Sequence, residues 1–313
     1  MTSPAPAPPV SAPPVSAPPP AAPPPAALPP AALPPAAPLP RAVRMLLGDL
    51  HRLPGQRPAL LRVVQVTDDP DSSARELADA AALDPAFAAR LLQLANSAYY
   101  GRMGQITAIG PAVSALGAET LRGLAVTMAL GLSGEHGPLP HGFWDRAATT
   151  AAASRLVAPR VGADSGDAFC VGLLCEVGQA LLFRAAPEMY STLLAAGNEA
   201  ALAAAELEWC GTTNGELAAA VLGASGLPAQ VCRAIARHQG VAPVPGQSVS
   251  FDPLTRALRA GVLLARAVAT GEVDEKTSDA LAAVVGGTFD ETIMRKLALR
   301  TAAHAAALSA TMR

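Results

Sequence analysis

Apolar positions along this chain recur every three to four residues from about residue 42 to the C-terminus, the period of helices with one buried face. β-Branched runs are scarce and alternation with period two is absent, so an all-α fold is expected. The pattern predicts helices at about 42–52 and 57–67. Ser73-Ala74-Arg75-Glu76 has the spacing of a capping box, with Ser73 as N-cap and Glu76 at N3, and opens a helix that stops near Leu83. Asp84-Pro85 opens the next, Asp84 as N-cap and Pro85 at the first helical position. Its apolar face carries Phe87, Leu91, Leu94 and Ala98. A loop and a short helix fill 99–117, and 119–132 forms another helix, ended by the glycines of 134–142. Long helices follow at 143–160 and 165–185, shorter ones at 187–197, 199–209, 213–224 and 228–239. A Pro/Gly/Ser loop at 240–252 precedes helices at 253–270, 274–285 and 290–311.

The first 40 residues break this pattern. They contain only Met, Thr, Ser, Pro, Ala, Val and Leu, and hold 18 of the 31 prolines. Proline lacks the N–H that a helix interior or sheet ladder needs, so the expectation is a disordered Pro/Ala-rich tail of polyproline II character. A spacer is its plain use; a docking arm for a proline-binding partner is the sharper one. It has neither the basic start nor the apolar core of a secretory signal.

The 23 basic and 25 acidic residues therefore all lie in 41–313. That balance argues against electrostatic capture of nucleic acid or an anionic membrane. No apolar run is expected to span a bilayer, because Glu176 interrupts the longest, Phe169–Phe183. The four cysteines form no CxxC pair and fit free thiols in the cytoplasm. The helices of 73–97 could form a helix-turn-helix offering Arg90, Gln93 and Asn96 to DNA. Against this, Arg75 and Arg90 with Glu76, Asp79 and Asp84 sum to a net charge of −1. Tyr99 and Tyr100, at a helix end, suit a wedge between helical layers, and Asn96 can cap that end. No GxxxxGK[ST] or GxGxxG phosphate loop occurs.

One residue is out of place. In GLLCEVGQALLF (172–183), Glu176 sits in an apolar segment, where an ionised carboxylate is costly unless paired. Beside it, Cys175 with a distant His238 could suggest a thiol nucleophile, but apolar flanks raise a thiol's pKa rather than lower it.

The stretches ALDPAFAARLLQLANSAYYG, ITAIGPAVSALGAETLRGLAV, FWDRAATTAAASRLVAPRVG, DAFCVGLLCEVGQALLF and WCGTTNGELAAAVLGASGLPAQVCRAIARHQ are similar, in order and spacing over about 53–240, to the HDOD domain, the HD-related output domain of bacterial signalling proteins. The resemblance implies two helical sub-bundles, about 41–135 and 143–313, joined by the glycine-rich 131–140. It also places the degenerate remains of a metal site. Where HD hydrolases carry a first His, an adjacent His-Asp and a further His, this chain has Arg146, Cys175-Glu176 and Asn214; only His238 persists. Arginine cannot ligate a metal. The resemblance thus implies no cofactor and no catalysis, but a signalling output or scaffold that works through protein partners. It further implies that Arg146 and Glu176 meet as an ion pair at the former metal site, donating bidentately; the plain alternative is a Glu176 facing a water-filled groove. Some relatives recognise cyclic dinucleotides, for which Arg146, Arg155 and Arg160 are the candidates here. A residual metal-dependent phosphohydrolase and helix-turn-helix DNA binding complete the alternatives.

If the tail packs against nothing, a chain beginning at residue 41 keeps the melting temperature of the full chain in a thermal scan. A fall of several degrees would show that 1–40 contribute to the fold.

Overall fold

The computed structural model describes residues 58–312 except 70, 101–104, 133–137, 196–198, 240–250 and 272–273, and only the backbone of 98 and 310–312. The tail, the expected helix at 42–52, half of the 131–140 loop and most of the 240–252 loop lie outside the described residues. The described part is helical, with no strand: α1 (Pro58–Asp68), α2 (Ala74–Ala82), α3 (Pro85–Ala95), a 3-10 turn (Ala98–Tyr100), α4 (Ile109–Leu116), α5 (Ala118–Ala129), α6 (Phe143–Val161), α7 (Ser165–Leu174), α8 (Val177–Ala185), α9 (Pro187–Leu194), α10 (Glu199–Cys210), α11 (Asn214–Ala224), α12 (Ala229–Arg237), α13 (Pro253–Thr270), α14 (Glu275–Val285) and α15 (Glu291–Met312).

The start signals act as the sequence predicts. Ser73 accepts from the Glu76 N–H, and the Glu76 side chain accepts from the Ser73 N–H at 2.8 Å. Asp84 accepts from the N–H groups of Ala86 and Phe87 with Pro85 in the first turn. Thr213 and Glu216 form a second capping box, on α11. Helix ends are less regular. The helix expected to reach 132 stops at Ala129; Gly131 turns to φ 67°, and Arg184 from α8 donates to the carbonyls of Leu130 (3.3 Å) and Gly131 (2.7 Å). The arginine thus replaces the next turn's N–H donors.

The expected helix 165–185 is two helices. Cys175 and Glu176 form a turn between α7 and α8. Residues 165–185 have the length and mean hydropathy, 1.5, of a membrane span, contrary to the sequence reading. But 72% of the stretch is buried inside the protein, and the break divides it, so it is core.

α6 is the axis of the packing: α7, α13 and α15 all lie against it. Its buried side chains are mostly alanines (Ala147, Ala148, Ala151, Ala152) with Ser154, so neighbouring backbones come close. A Cβ on Gly172 of α7 would lie 2.6 Å from the Ala151 Cα, and one on Gly261 of α13 would lie 2.0 Å from the Ser154 Oγ. The helices before α6 join this core where α5 packs on α7 and α1 on α5. Tyr99 is the wedge expected of it, with its ring against Phe169 of α7 and His304 of α15.

The tightest approach is Gly178 of α8, whose Cβ would fall 1.9 Å from the Asn214 carbonyl oxygen. Gly178→Ala must displace the start of α11 and is expected to cost about 3 kcal/mol or more. Gly110→Ala in the first turn of α4, where nothing lies within 4 Å of the new methyl, is expected to stabilise by about 0.5–1 kcal/mol. Urea unfolding of both variants checks the contrast.

Candidate functional site

α6, the Cys175–Glu176 turn, α8, α10 and α13 surround an open cavity of about 810 Å³. Arg146 enters from the first turns of α6. Its Nε donates to both Glu176 oxygens, at 2.9 and 3.1 Å, and its Nη1 donates to the His141 carbonyl at 2.5 Å. Its Nη2 is buried and has no partner among the described residues. The expected ion pair is therefore formed, at the expected distance, but not as a fork: one nitrogen serves the carboxylate. The pair also faces the groove offered as its alternative, with the Glu176 side chain 13% exposed and that of Arg146 39%. Across the cavity, Arg266 on α13 donates to Glu199 at the start of α10 at 3.1 Å.

Burial pushes the Glu176 carboxyl up to about 7; Arg146 opposes the shift, and the nearby Glu199 adds to it. Burial likewise holds the Cys175 thiol well above its ordinary range, and its Sγ donates to the Gly172 carbonyl. Such burial disfavours the thiolate that a nucleophile needs. His238, the cap of α12, is buried against the Ile235 carbonyl (Nδ1 to O, 2.5 Å) and pushed down to about 4, so it is neutral.

Asn214 does not reach the cavity. It starts α11, where its N–H and Nδ2 donate to Glu206 at 2.8–3.0 Å and its Oδ1 accepts from Gln239. Glu206 is fully buried and also accepts from the Tyr190 hydroxyl. Sequence reasoning missed this network, although a signal existed: Glu206 stands four residues after Leu202 and four before Cys210, on the buried stripe of α10.

The three arginines proposed for a nucleotide do not converge. Arg155 lies over the rings of Tyr99 and Tyr100 at 5.5 and 5.8 Å, and Arg160 is exposed on the last turn of α6; neither lines the cavity. Nothing in the pattern of residues points to Arg266, whose partner Glu199 is 67 residues away. In the 73–97 pair, Asn96 exchanges hydrogen bonds with the backbone of Ile106 (2.7 and 2.9 Å), so its amide is not free to read a base edge.

The HDOD domain matches residues 53–241 of this chain, more than half of it. The chain belongs to the HDOD family. An HDOD domain protein of unknown function from Geobacter sulfurreducens shares the fold, with TM-score 0.62 and 22% identity over 86% of this chain and 97% of that one. So does a protein from Shewanella amazonensis SB2B whose name proposes a phosphohydrolase (TM-score 0.66, 23% identity, 87% and 98% covered). So does one from Marinobacter aquaeolei VT8 whose name proposes signal transduction (0.64, 21%, 87% and 64%). No curated protein compared with the chain is similar to it.

The sequence resemblance to HD hydrolases raises the question of a metal, and the donor set among the described residues does not fit one. Among the described residues no three His, Cys, Asp or Glu side chains come together as ligands. The cation beside Glu176 is a guanidinium, which ligates nothing and repels a metal ion.

This HDOD domain has a pH-dependent weak point. A carboxyl with a folded pKa of about 7 against an ordinary 4.5 favours the folded state when protonated. That contribution is full below about pH 4.5 and is lost as pH rises through 7. The stability of the parent chain minus that of Glu176→Gln is expected to fall by on the order of 1–3 kcal/mol between pH 5 and 8.5. Urea unfolding of both proteins measures it; a constant difference would mean that Glu176 titrates normally.

Proposed function

We propose that this HDOD domain is a non-catalytic output or scaffold module of bacterial signal transduction, acting in the cytoplasm through protein–protein contacts. The observation that carries the reading is the Arg146 guanidinium on Glu176 at 2.9 and 3.1 Å. It stands where the HD resemblance would put a metal, with a charge that disfavours one. A metal-activated water needs an open coordination position on a Lewis acid, and an arginine offers neither. Family membership and the signal-transduction name of the Marinobacter relative point the same way. The thiols of Cys170, Cys175, Cys210 and Cys232, all free, fit a reducing compartment.

Purified full-length chain is expected to carry well under one equivalent of iron, manganese or zinc by elemental analysis. It is expected not to hydrolyse bis-p-nitrophenyl phosphate with added manganese. Hydrolysis that disappears in Glu176→Gln would overturn the reading.

A further inference from the structure

We propose that the cavity between Arg146 and Arg266 is a receptor site for a small amphiphilic carboxylate: one anionic head on an apolar body. This deepens the signalling reading by giving the module a chemical input. It rests on that reading in one respect, that the ligand is bound and released unchanged.

The cavity's volume, about 810 Å³, suits a small organic molecule. Its wall is mostly apolar, with Phe183, Leu194, Leu202, Val262, Ala265 and Val268 facing the space. Its polar groups form a pattern. Each arginine is anchored by one carboxylate through one nitrogen, Arg146 by Glu176 and Arg266 by Glu199. Anchoring leaves N–H groups over: the Arg146 Nη2, buried with no partner among the described residues, and the Nε and Nη1 of Arg266, which bond to no atom of the described residues. A buried donor without a partner is costly and calls for an acceptor. A carboxylate is planar, as a guanidinium is, and matches it.

Charge narrows the class. Two guanidinium groups face Asp145, Glu176 and Glu199 across this space. A cation would meet both arginines. A body without an acceptor would leave the Arg146 Nη2 unsatisfied, and a neutral acceptor bonds a guanidinium less strongly than a carboxylate does. A ligand with two phosphodiesters would bring two more negative charges to three carboxylates. A single negative charge is tolerated if one carboxyl is neutral, and Glu176 can be. The groups that face it are Arg146 and Asp145 on α6, Cys175 beside it, Tyr190 on α9, Glu199 on α10, His238 after α12 and Arg266 on α13. Of these, His238 and Cys175 are held neutral by burial. Glu176, held near 7, is the group that a bound anion would drive to take a proton from solvent. Binding should therefore take up a proton above about pH 7 and weaken as pH rises.

Calorimetric titration of the full chain with octanoate, at pH 6 and pH 8 in buffers of different ionisation heat, tests this. The head-group controls are octan-1-ol and octylammonium. One saturable site is expected, with proton uptake at pH 8 and affinity weaker at pH 8 than at pH 6 by up to about tenfold. Octan-1-ol should bind at least tenfold more weakly and octylammonium not at all. Arg266→Ala, a change at a half-exposed position, should cost at least tenfold, and Ala265→Trp should close the space and abolish binding. Glu176→Gln should bind at pH 8 as the parent does at pH 6. Equal binding of octan-1-ol, an unaffected Arg266→Ala with an unaffected Ala265→Trp, or no saturable site would overturn the inference. None of these would touch the non-catalytic reading, which falls instead with metal-dependent hydrolysis.

Discussion

The close approach of α7 and α13 to α6 is the constraint on which the site depends. Alanines on α6 and a glycine on each partner bring the backbones together: a methyl at Gly172 would lie 2.6 Å from the Ala151 Cα, and one at Gly261 would lie 2.0 Å from the Ser154 Oγ. Interiors packed to crystal-like density do not absorb such an overlap. The approach fixes where α6 presents Arg146, where the α7–α8 turn presents Glu176, and where α13 presents Arg266. A second close pass, Gly178 against Asn214, holds α8 to the start of α11 and so sets the direction in which the chain leaves the turn.

Within that frame, the protein holds buried carboxylates in two ways. Glu206 has no cation. It is satisfied by a phenol, a backbone N–H and a side-chain amide, and the same amide, Asn214, orients Gln239 at the cavity edge. Glu176 has a guanidinium but is only partly repaid by it, since burial wins over Arg146 and leaves the carboxyl titrating near neutrality. Burial outweighs the donors at both, raising the Glu206 carboxyl despite its three donor groups as it raises Glu176 with its one nitrogen. What sets Glu176 apart is its place on the wall of the open cavity, which Glu206 does not reach.

Arginine does several kinds of work here that net charge conceals. Arg184 and Arg256 close helix ends by donating to the terminal carbonyls of α5 and α14. Arg122, nearly inaccessible, bonds to Thr67 and pairs with Asp68 and Glu119, tying α1 to α5. Arg155 covers the Tyr99–Tyr100 wedge. A planar, always-charged group with five donors suits each of these places, and only two of the arginines just described or placed in the site, Arg146 and Arg266, are turned to the cavity.

The sequence by itself determined the local events. Ser73-x-x-Glu76, Asp84-Pro85 and the 3.6-residue apolar period place helix starts because their bonds close within three or four residues. The pairing of Arg146 with Glu176 was legible only through the family resemblance, which sets both at one former metal site; the apolar run by itself said only that the carboxylate needs a partner or water. Only the tertiary structure decided the rest. The break at Cys175–Glu176 has no proline or positive-φ glycine to announce it, and arises where α8 turns to meet Asn214. Arg155 and Arg266 are alike in sequence, each an arginine in an alanine-rich helix. One packs on tyrosines and the other lines the cavity, because contacts between distant helices, and not neighbours in the chain, settle where a long side chain goes.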